Sequence, residues 1–411
     1  MRFKISLAII LLLVTLGAVY VFKPTKYTLG PSVERSEIFE GAGYEAVDPN
    51  AYEVSIFAEN FFSPTRIKIT PDGKHLLVSQ INGEVLAFNR EGDDWSKTPY
   101  LVTKVETMFP GFPPDEAGLV GMTFSQDFSK NKKLFLLYTF KDSEGKIQNR
   151  ISTATLWNIF GKLRSPKPKL IWQANIPGAG SHQIADAIAV TVGGKARILF
   201  LIGEGFDGKK AQDPTLHAGK LMSIDENGND PIVHALGIRN GFALAKNPFD
   251  IENRILISDT GPDKYDRLIY TNPLLPGQLN FNWNGEQEKL AESVPDPNFE
   301  KVSDMVILRL TPTKTFTGLS FTKTGELFAT FFGPTGTKET SPGKEVVKGK
   351  IDNLDGQPSI VFETIIKRAS PANGKFGNPI GLEIDPESGD FFFADILEGR
   401  IYQVKVKGGD S

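Results

Sequence analysis

Pro71-Asp72-Gly73-Lys74, followed by His75-Leu76-Leu77-Val78-Ser79-Gln80, then Asn82-Gly83 and Glu84-Val85-Leu86-Ala87-Phe88, reads as a tight turn, a strand, a second tight turn and a second strand. Asp-Gly and Asn-Gly supply the positive backbone angles that two-residue connections need, and the apolar runs between them suit buried strands. The same grammar returns along the chain. Gln126-Asp127-Phe128 precedes Lys133 to Phe140, and Gly193-Gly194-Lys195 precedes Arg197 to Ile202 and then Gly219 to Ile224. Asn247-Pro248-Phe249 precedes Arg254 to Asp259, and Thr324-Gly325-Glu326 precedes Leu327 to Phe332. Pro386-Glu387-Ser388-Gly389 precedes Asp390 to Asp395 and then Gly399 to Val404.

These six units recur on average roughly every 60 residues, about one four-stranded blade with its loops. The expectation is an all-β chain folded as a six-bladed β-propeller over residues 51–407, with a short tail at 408–411. The 30 phenylalanines fit that architecture, because sheets packed face to face need bulky apolar filling. The longest helical candidate, Glu286 to Val294, is short and interrupted.

Composition narrows the chemistry. Hydrophobic residues make up 40% and charged residues 23% of the 411, a globular balance. The formal net charge is −3 without a basic stripe, so no nucleic-acid partner is expected. There is no cysteine, which excludes disulfides, zinc–thiolate sites, iron–sulfur clusters and thiol catalysis. Neither a Walker loop nor a G-x-S-x-G elbow occurs, which withdraws support from P-loop nucleotide and serine-hydrolase chemistry.

At the N-terminus, Arg2 and Lys4 precede the uncharged run Ile5 to Phe22, closed by Lys23 and Lys26. About 18 helical residues span roughly 27 Å, enough for a bilayer core. Residues 1–26 are read as a signal anchor, with a cleaved signal peptide as the alternative, and residues 27–50 as a polar linker. The propeller is then expected outside the cytoplasm, membrane-anchored, or secreted if the segment is cleaved.

Polar groups gather between Gly178 and Pro262. His182 follows the flexible Pro177-Gly178-Ala179-Gly180-Ser181 at the edge of a strand, and Glu204 sits between two glycines directly after Ile198 to Ile202. Arg239-Asn240 lies between Gly237-Ile238 and Gly241-Phe242, where a buried arginine must meet a partner or an anionic ligand. Asp259-Thr260-Gly261-Pro262 ends another strand, in a bend able to turn carbonyls toward a cation. The other histidines are read as bystanders: His75 at a surface or edge, His217 in a loop, His234 structural. Asp225 to Asp230 is read as a β-turn rather than a calcium loop.

In this order the motifs resemble the soluble glucose/sorbosone dehydrogenase family. Gly118-Leu119-Val120-Gly121-Met122-Thr123-Phe124 is similar to its G-L-L-G-x-A-F, and His182 to the histidine of its H-x-G-G. Gly203-Glu204-Gly205 is similar to its G-D-x-G, and His217-Ala218-Gly219-Lys220-Leu221 to its G-K segment. Gly237-Ile238-Arg239-Asn240 is similar to its G-x-R-N-P, Gly261-Pro262 to its G-P turn, and Asn378-Pro379-Ile380-Gly381-Leu382 through Tyr402 to its last blade. The resemblance covers about residues 50–405. It implies a propeller that oxidises an aldose with pyrroloquinoline quinone (PQQ) and calcium. His182 would be the base, Glu204 its orienting carboxylate, and Arg239 the group polarising the quinone. Asn240, Lys338, Lys344 and Arg400 would be further cofactor contacts, and the Gly261 and Pro262 carbonyls the metal ligands. The chain departs from the pattern at Ala185-Asp186, which replaces the glycine pair and puts side chains where a flat cofactor would lie. It departs again at Glu204 for aspartate, at Gly241 for proline, and at Asn378, where an arginine is common. Two further readings stay open: a non-catalytic cell-surface propeller that binds sugar or protein, and a calcium-dependent lactonase-like hydrolase with Glu204 and Asn240 as metal ligands. The electron acceptor is not legible.

Overall fold

The computed structural model describes residues 43–108, 116–176, 180–262, 265–274, 277–285, 305–333, 343–354, 356–369 and 377–407. The Ile5 to Phe22 run, the Glu286 to Val294 candidate and Lys338 lie outside them. Among the described residues no helix is long and apolar enough to cross a membrane.

Six four-stranded antiparallel sheets follow one another as blades. From the innermost strand outward, blade one is Pro64–Ile69, His75–Gln80, Glu84–Glu91 and Tyr100–Lys104. Blade two is Leu119–Phe124, Lys133–Lys141, Ile147–Thr155 and Lys169–Asn175. Blade three is Ile184–Val192, Lys195–Ile202, Lys220–Asp225 and Ile232–Leu236. Blade four is Leu244–Lys246, Ile255–Asp259, Asp266–Thr271 and Val306–Leu310. Blade five is Phe316–Phe321, Glu326–Phe331, Glu345–Leu354 and Gln357–Arg368. Blade six takes Pro379–Ile384, Phe391–Asp395 and Arg400–Val406 from the C-terminal part, and its outer strand, Tyr52–Ala58, from the N-terminal part. That shared blade ties the two ends of the ring together. The innermost strands contact one another in a closed circuit, so the expected six-bladed propeller is the fold.

Every repeating turn read from the sequence connects the first and second strands of a blade. The second strands are buried almost throughout, as at His75–Gln80, because each lies between two neighbouring sheets. The apolar core is accordingly divided. One cluster joins Leu77 and Val85 of blade one to Leu134 and Leu136 of blade two, and another joins Phe135 of blade two to Phe200 of blade three. Equivalent clusters fill the remaining blade interfaces. Removing one fully buried phenylalanine from such an interface costs about 3–5 kcal/mol.

Two additions depart from the simple scheme. Tyr44–Ala46, within the stretch read as a linker, pairs with Ile366 to Arg368 as a fifth strand of blade five. Leu279–Asn280, from the connection within blade four, pairs in parallel with the outer strand of blade three. His75 is a correction: it is buried, with Nδ1 donating to Asn89 Oδ1 at 3.0 Å. A strand covered on both faces has no polar alternation, so its polar residues cannot be sorted into inside and outside by pattern. His234 is structural, as expected, between Ser223 Oγ (2.8 Å) and the Pro273 carbonyl (3.0 Å). Asp225 to Asp230 is a turn, closed by the Asp225 amide on the Asn229 carbonyl.

Candidate active site

In each blade the innermost strand runs away from one face and the second strand returns to it. Residues that precede an innermost strand therefore meet, on that face, residues that follow a second strand. His182 and Arg239-Asn240 belong to the first kind; Glu204 and Gly261-Pro262 belong to the second. The topology alone gathers them.

The contacts are specific. His182 Nδ1 lies 3.0 Å from Glu204 Oε1, both side chains buried. Two backbone bonds lock this approach: Gly203 N–H to Gln183 O and Gly205 N–H to His182 O, each 3.0 Å. Gly203 must be glycine here, since a Cβ would stand 2.7 Å from the His182 carbonyl carbon and oxygen. His182 holds a left-handed backbone angle (φ 56°), as does Phe206 (φ 64°), whose ring stacks on the imidazole at 4.0 Å and 28°. The Glu204 amide donates to the Arg239 carbonyl at 2.9 Å, joining blades three and four.

Asp259 arranges the Arg239-Asn240 pair. Its Oδ1 accepts both backbone amides, at 3.0 and 2.8 Å, while its Oδ2 is ion-paired to buried Arg267. Half-buried Arg239 donates from Nη1 to the Thr260 carbonyl at 2.9 Å, with its guanidinium 5.8 Å from the Trp283 ring centre. Asp266 holds the following turn by accepting the Gly261 amide at 3.0 Å, and burial pushes its carboxyl up to about 6. The Gly261 and Pro262 carbonyls accept no hydrogen bond from the described residues.

Glu116 was not singled out from the sequence. Its Oε2 accepts the His182 amide at 2.6 Å, and its carboxylate accepts Asn240 Nδ2 at 3.2 and 3.3 Å. Its position directly before the Gly118-Leu119-Val120-Gly121 strand was the available signal. Trp283 was missed as well, because it arrives on the connection that crosses from blade four to blade three.

Asp186 is a second correction. Its carboxylate meets Arg66 Nε at 3.4 Å and accepts the Leu244 amide at 3.0 Å, rather than turning toward His182. Arg66, on the innermost strand of blade one, also donates to the carbonyls of Thr317 and Phe242, so it spans the central channel to blades three, four and five.

Lys344 and Arg400 sit on the same face but in a separate cluster. Lys344 is fully buried, donates to the Gly377 carbonyl at 3.0 Å, and is pushed down to about 8 by burial. Arg400 pairs with Glu398 at 3.1 Å. Tyr402 donates to the same Glu398 carboxylate at 2.5 Å, and Tyr44 to Asp395 at 2.7 Å. Burial and the neighbouring Asp395 raise Glu398 to about 8. Asn378 is buried and donates to the Phe332 carbonyl at 2.8 Å.

Whether this face suits a polar, anionic ligand can be judged from what it leaves unsatisfied. Among the described residues, Glu204 Oε2, Thr260 Oγ1 and Trp283 Nε1 are buried without a hydrogen-bond partner. All three belong to residues that touch His182 or Arg239. Buried polar atoms are seldom left so, which makes the Thr260 hydroxyl and the Trp283 indole N–H contacts for a bound group's oxygens, while the Glu204 oxygen, an acceptor, suits a hydroxyl and not an anion. A guanidinium, an amide and unsatisfied hydroxyl and indole donors are the right chemistry for carboxylates and quinone oxygens. The residues of blades three and four fit such a group.

Comparison with known proteins assigns the family. The family model of glucose/sorbosone dehydrogenases matches residues 61–288, more than half of the chain. Quinoprotein glucose dehydrogenase B of Acinetobacter calcoaceticus is 24% identical over 264 residues, covering 56% of this chain and 52% of that protein. An aldose sugar dehydrogenase of Escherichia coli strain K12 is 19% identical over 233 residues, covering 54% and 59%. The matched stretch thus spans little more than half the length of these curated relatives. The structure of a pyranose dehydrogenase PQQ domain from Coprinopsis cinerea superposes with a TM-score of 0.64 at 9% identity, over 89% of this chain and 97% of that one, a likeness of fold. With the matched segment holding His182, Glu204, Arg239, Asn240 and the Gly261-Pro262 turn on one face, the chain belongs to the glucose/sorbosone dehydrogenase family.

Proposed function

We propose that the protein oxidises an aldose at its anomeric carbon, using PQQ and calcium. The observation that carries this reading is the buried His182–Glu204 contact beside Arg239. With Nδ1–H donated to Glu204 Oε1, the imidazole keeps the lone pair of Nε2 free to accept a proton from a sugar hydroxyl. The Glu204 carboxylate then faces the imidazolium it has helped to create. Bound PQQ supplies a two-electron acceptor for the hydride of the anomeric carbon. Arg239 and Asn240 would hold it, Arg239 stabilising negative charge on its oxygens, with Lys338 as a further cationic contact. The Gly261 and Pro262 carbonyls would hold calcium. Because residues 5–22 form an apolar run, we place this activity outside the cytoplasm.

A second reading, a propeller that binds sugar without oxidising it, is favoured by Arg400 and Lys344, which face Glu398 and Asp395 rather than standing unengaged. One experiment separates the two. The full chain is loaded with PQQ and calcium and assayed for dye reduction with several aldoses. Turnover that disappears in His182→Ala, with folding intact by circular dichroism, supports the first reading. Sugar binding without quinone binding or dye reduction would replace it with the second.

A further inference from the structure

Trp157–Ile159 and Lys162–Arg164 form a two-stranded hairpin that stands outside the six blades. It is inserted between the third and outer strands of blade two, at the end opposite the candidate site, where Thr155 pairs with Lys133. Its base is fixed. Leu156 and Leu163 are buried between blades one and two, the Leu163 amide donates to the Tyr100 hydroxyl at 3.1 Å, and Arg164 Nη1 donates to the Leu101 carbonyl at 2.7 Å. Its tip is the reverse. Ile159 pairs with Lys162, so the turn is Phe160-Gly161 alone, with φ of 51° and 77°. Such a turn favours Asn-Gly, and a phenylalanine at its first position is strained. Yet Phe160 is fully exposed (101%) and Trp157 is 56% exposed, so folding makes little use of either ring. The register puts Trp157 and Ile159 on one face of the hairpin with Lys162 and Arg164. From Gly145 to Ala185 the chain holds no Asp or Glu, while Lys162, Arg164, Lys167 and Lys169 crowd behind the tip.

We propose that this hairpin is an interaction surface for a lipid bilayer bearing anionic headgroups. Phe160 and Trp157 enter the boundary between headgroups and acyl chains, and Lys162, Lys167 and Lys169 meet the phosphates. Aromatic rings favour that depth, and lysines just outside it add attraction to anionic lipid. A convex tip gives a folded partner no concavity to fill, whereas lipid deforms around it. The fixed base matters too, because a hairpin held by Leu163 and Arg164 carries the whole propeller with it. Docking there leaves the candidate site, at the other end of the blade, open to water. The proposal goes beyond the dehydrogenase reading and stands without it.

The test uses the full chain without a label. Of its four tryptophans, Trp95, Trp172 and Trp283 are buried and Trp157 is exposed, so bromine on lipid acyl chains quenches emission through Trp157. The apolar run Ile5 to Phe22 holds no tryptophan and is silent in this measurement. Vesicles of dibrominated phosphatidylcholine with about 30% phosphatidylglycerol are expected to quench total emission by at least about one fifth. Without phosphatidylglycerol, or in high salt, the effect should fall at least about twofold. Trp157→Phe should abolish it. Phe160→Asn, which suits the left-handed turn, should cut it at least about threefold while the melting temperature stays or rises. The triple variant Lys162→Glu/Lys167→Glu/Lys169→Glu should remove the dependence on phosphatidylglycerol. Absence of quenching in the anionic vesicles, whether or not the protein sediments with them, overturns the proposal, as does quenching that survives Trp157→Phe or Phe160→Asn. A lower melting temperature in Phe160→Asn also overturns it by giving the ring a folding role. Self-association in solution that Phe160→Asn abolishes, without quenching, replaces the bilayer with a second copy of the chain.

Discussion

Glu116 reaches His182 from blade two, its Oε2 accepting the histidine amide at 2.6 Å while the same carboxylate accepts the Asn240 side chain. One residue thus fixes the spacing between the proposed base and the segment that carries Arg239. Replacement by alanine leaves the His182 amide and the Asn240 Nδ2 without this acceptor. Glu116→Ala is expected to lower kcat/KM about 10–100-fold with a smaller change in melting temperature, and Glu116→Gln to recover part of the loss. Steady-state kinetics set beside thermal unfolding check this; equal kinetics in all three proteins would remove Glu116 from the site's support.

The Arg66–Asp186 pair should behave as a buried charge pair. Arg66→Met leaves the Asp186 carboxylate inside the channel without its cation, at a cost of about 3–5 kcal/mol. Asp186→Asn alone strands the guanidinium similarly. The double variant Arg66→Met/Asp186→Asn removes both charges and keeps an acceptor for the Leu244 amide, so it should recover most of the stability. Denaturant unfolding of the four proteins as a double-mutant cycle decides the matter, and strictly additive losses would contradict direct coupling.

Gly203 offers a purely steric prediction. A Cβ there meets the backbone of His182, which cannot retreat because Gly205 N–H and Gly203 N–H tie the two strands together. Gly203→Ala is expected to destabilise the fold by about 1–3 kcal/mol and to widen the His182–Glu204 approach. A crystal structure of the variant, or loss of catalysis out of proportion to lost stability, would show it.

His75 makes stability depend on pH far from the site. Burial, opposed by its bond to Asn89, holds its pKa below the ordinary 6.5 in the fold. The unfolded chain therefore binds a proton first as pH falls. The stability this histidine contributes is complete above about pH 6.5 and declines below it, toward the lowered pKa of the folded state. His75→Gln should flatten the decline between pH 7 and 5 in a series of melting curves. An unchanged slope would assign the acid sensitivity to His217 and His234, which burial lowers likewise.

The blade pattern was legible because each first turn is local chemistry: a few residues of Gly, Asp, Asn or Pro between apolar runs, repeated six times. His182, Glu204 and Arg239-Asn240 were legible for a related reason, each sitting where an apolar run meets glycine. Glu116 and Arg66 were not, since their partners lie 66 to 251 positions away and meet only when the ring closes. Asp186 was read correctly as a departure but misread in direction. Alternation cannot tell which way a side chain points on an innermost strand, whose faces are both covered. His75 failed for the same reason one strand further out.

The fifth strand of blade five carries one more consequence. Because Tyr44–Ala46 runs antiparallel to Gln357–Arg368, which ends on the face of His182, residue 44 stands at that face and residue 46 points away from it. The Gly43 carbonyl, bound to the Ala369 amide at 2.7 Å, and the Tyr44 hydroxyl on Asp395 fasten the chain there. The first described strand therefore enters the fold on the face of the candidate site, opposite the six turns that join the first and second strands of the blades.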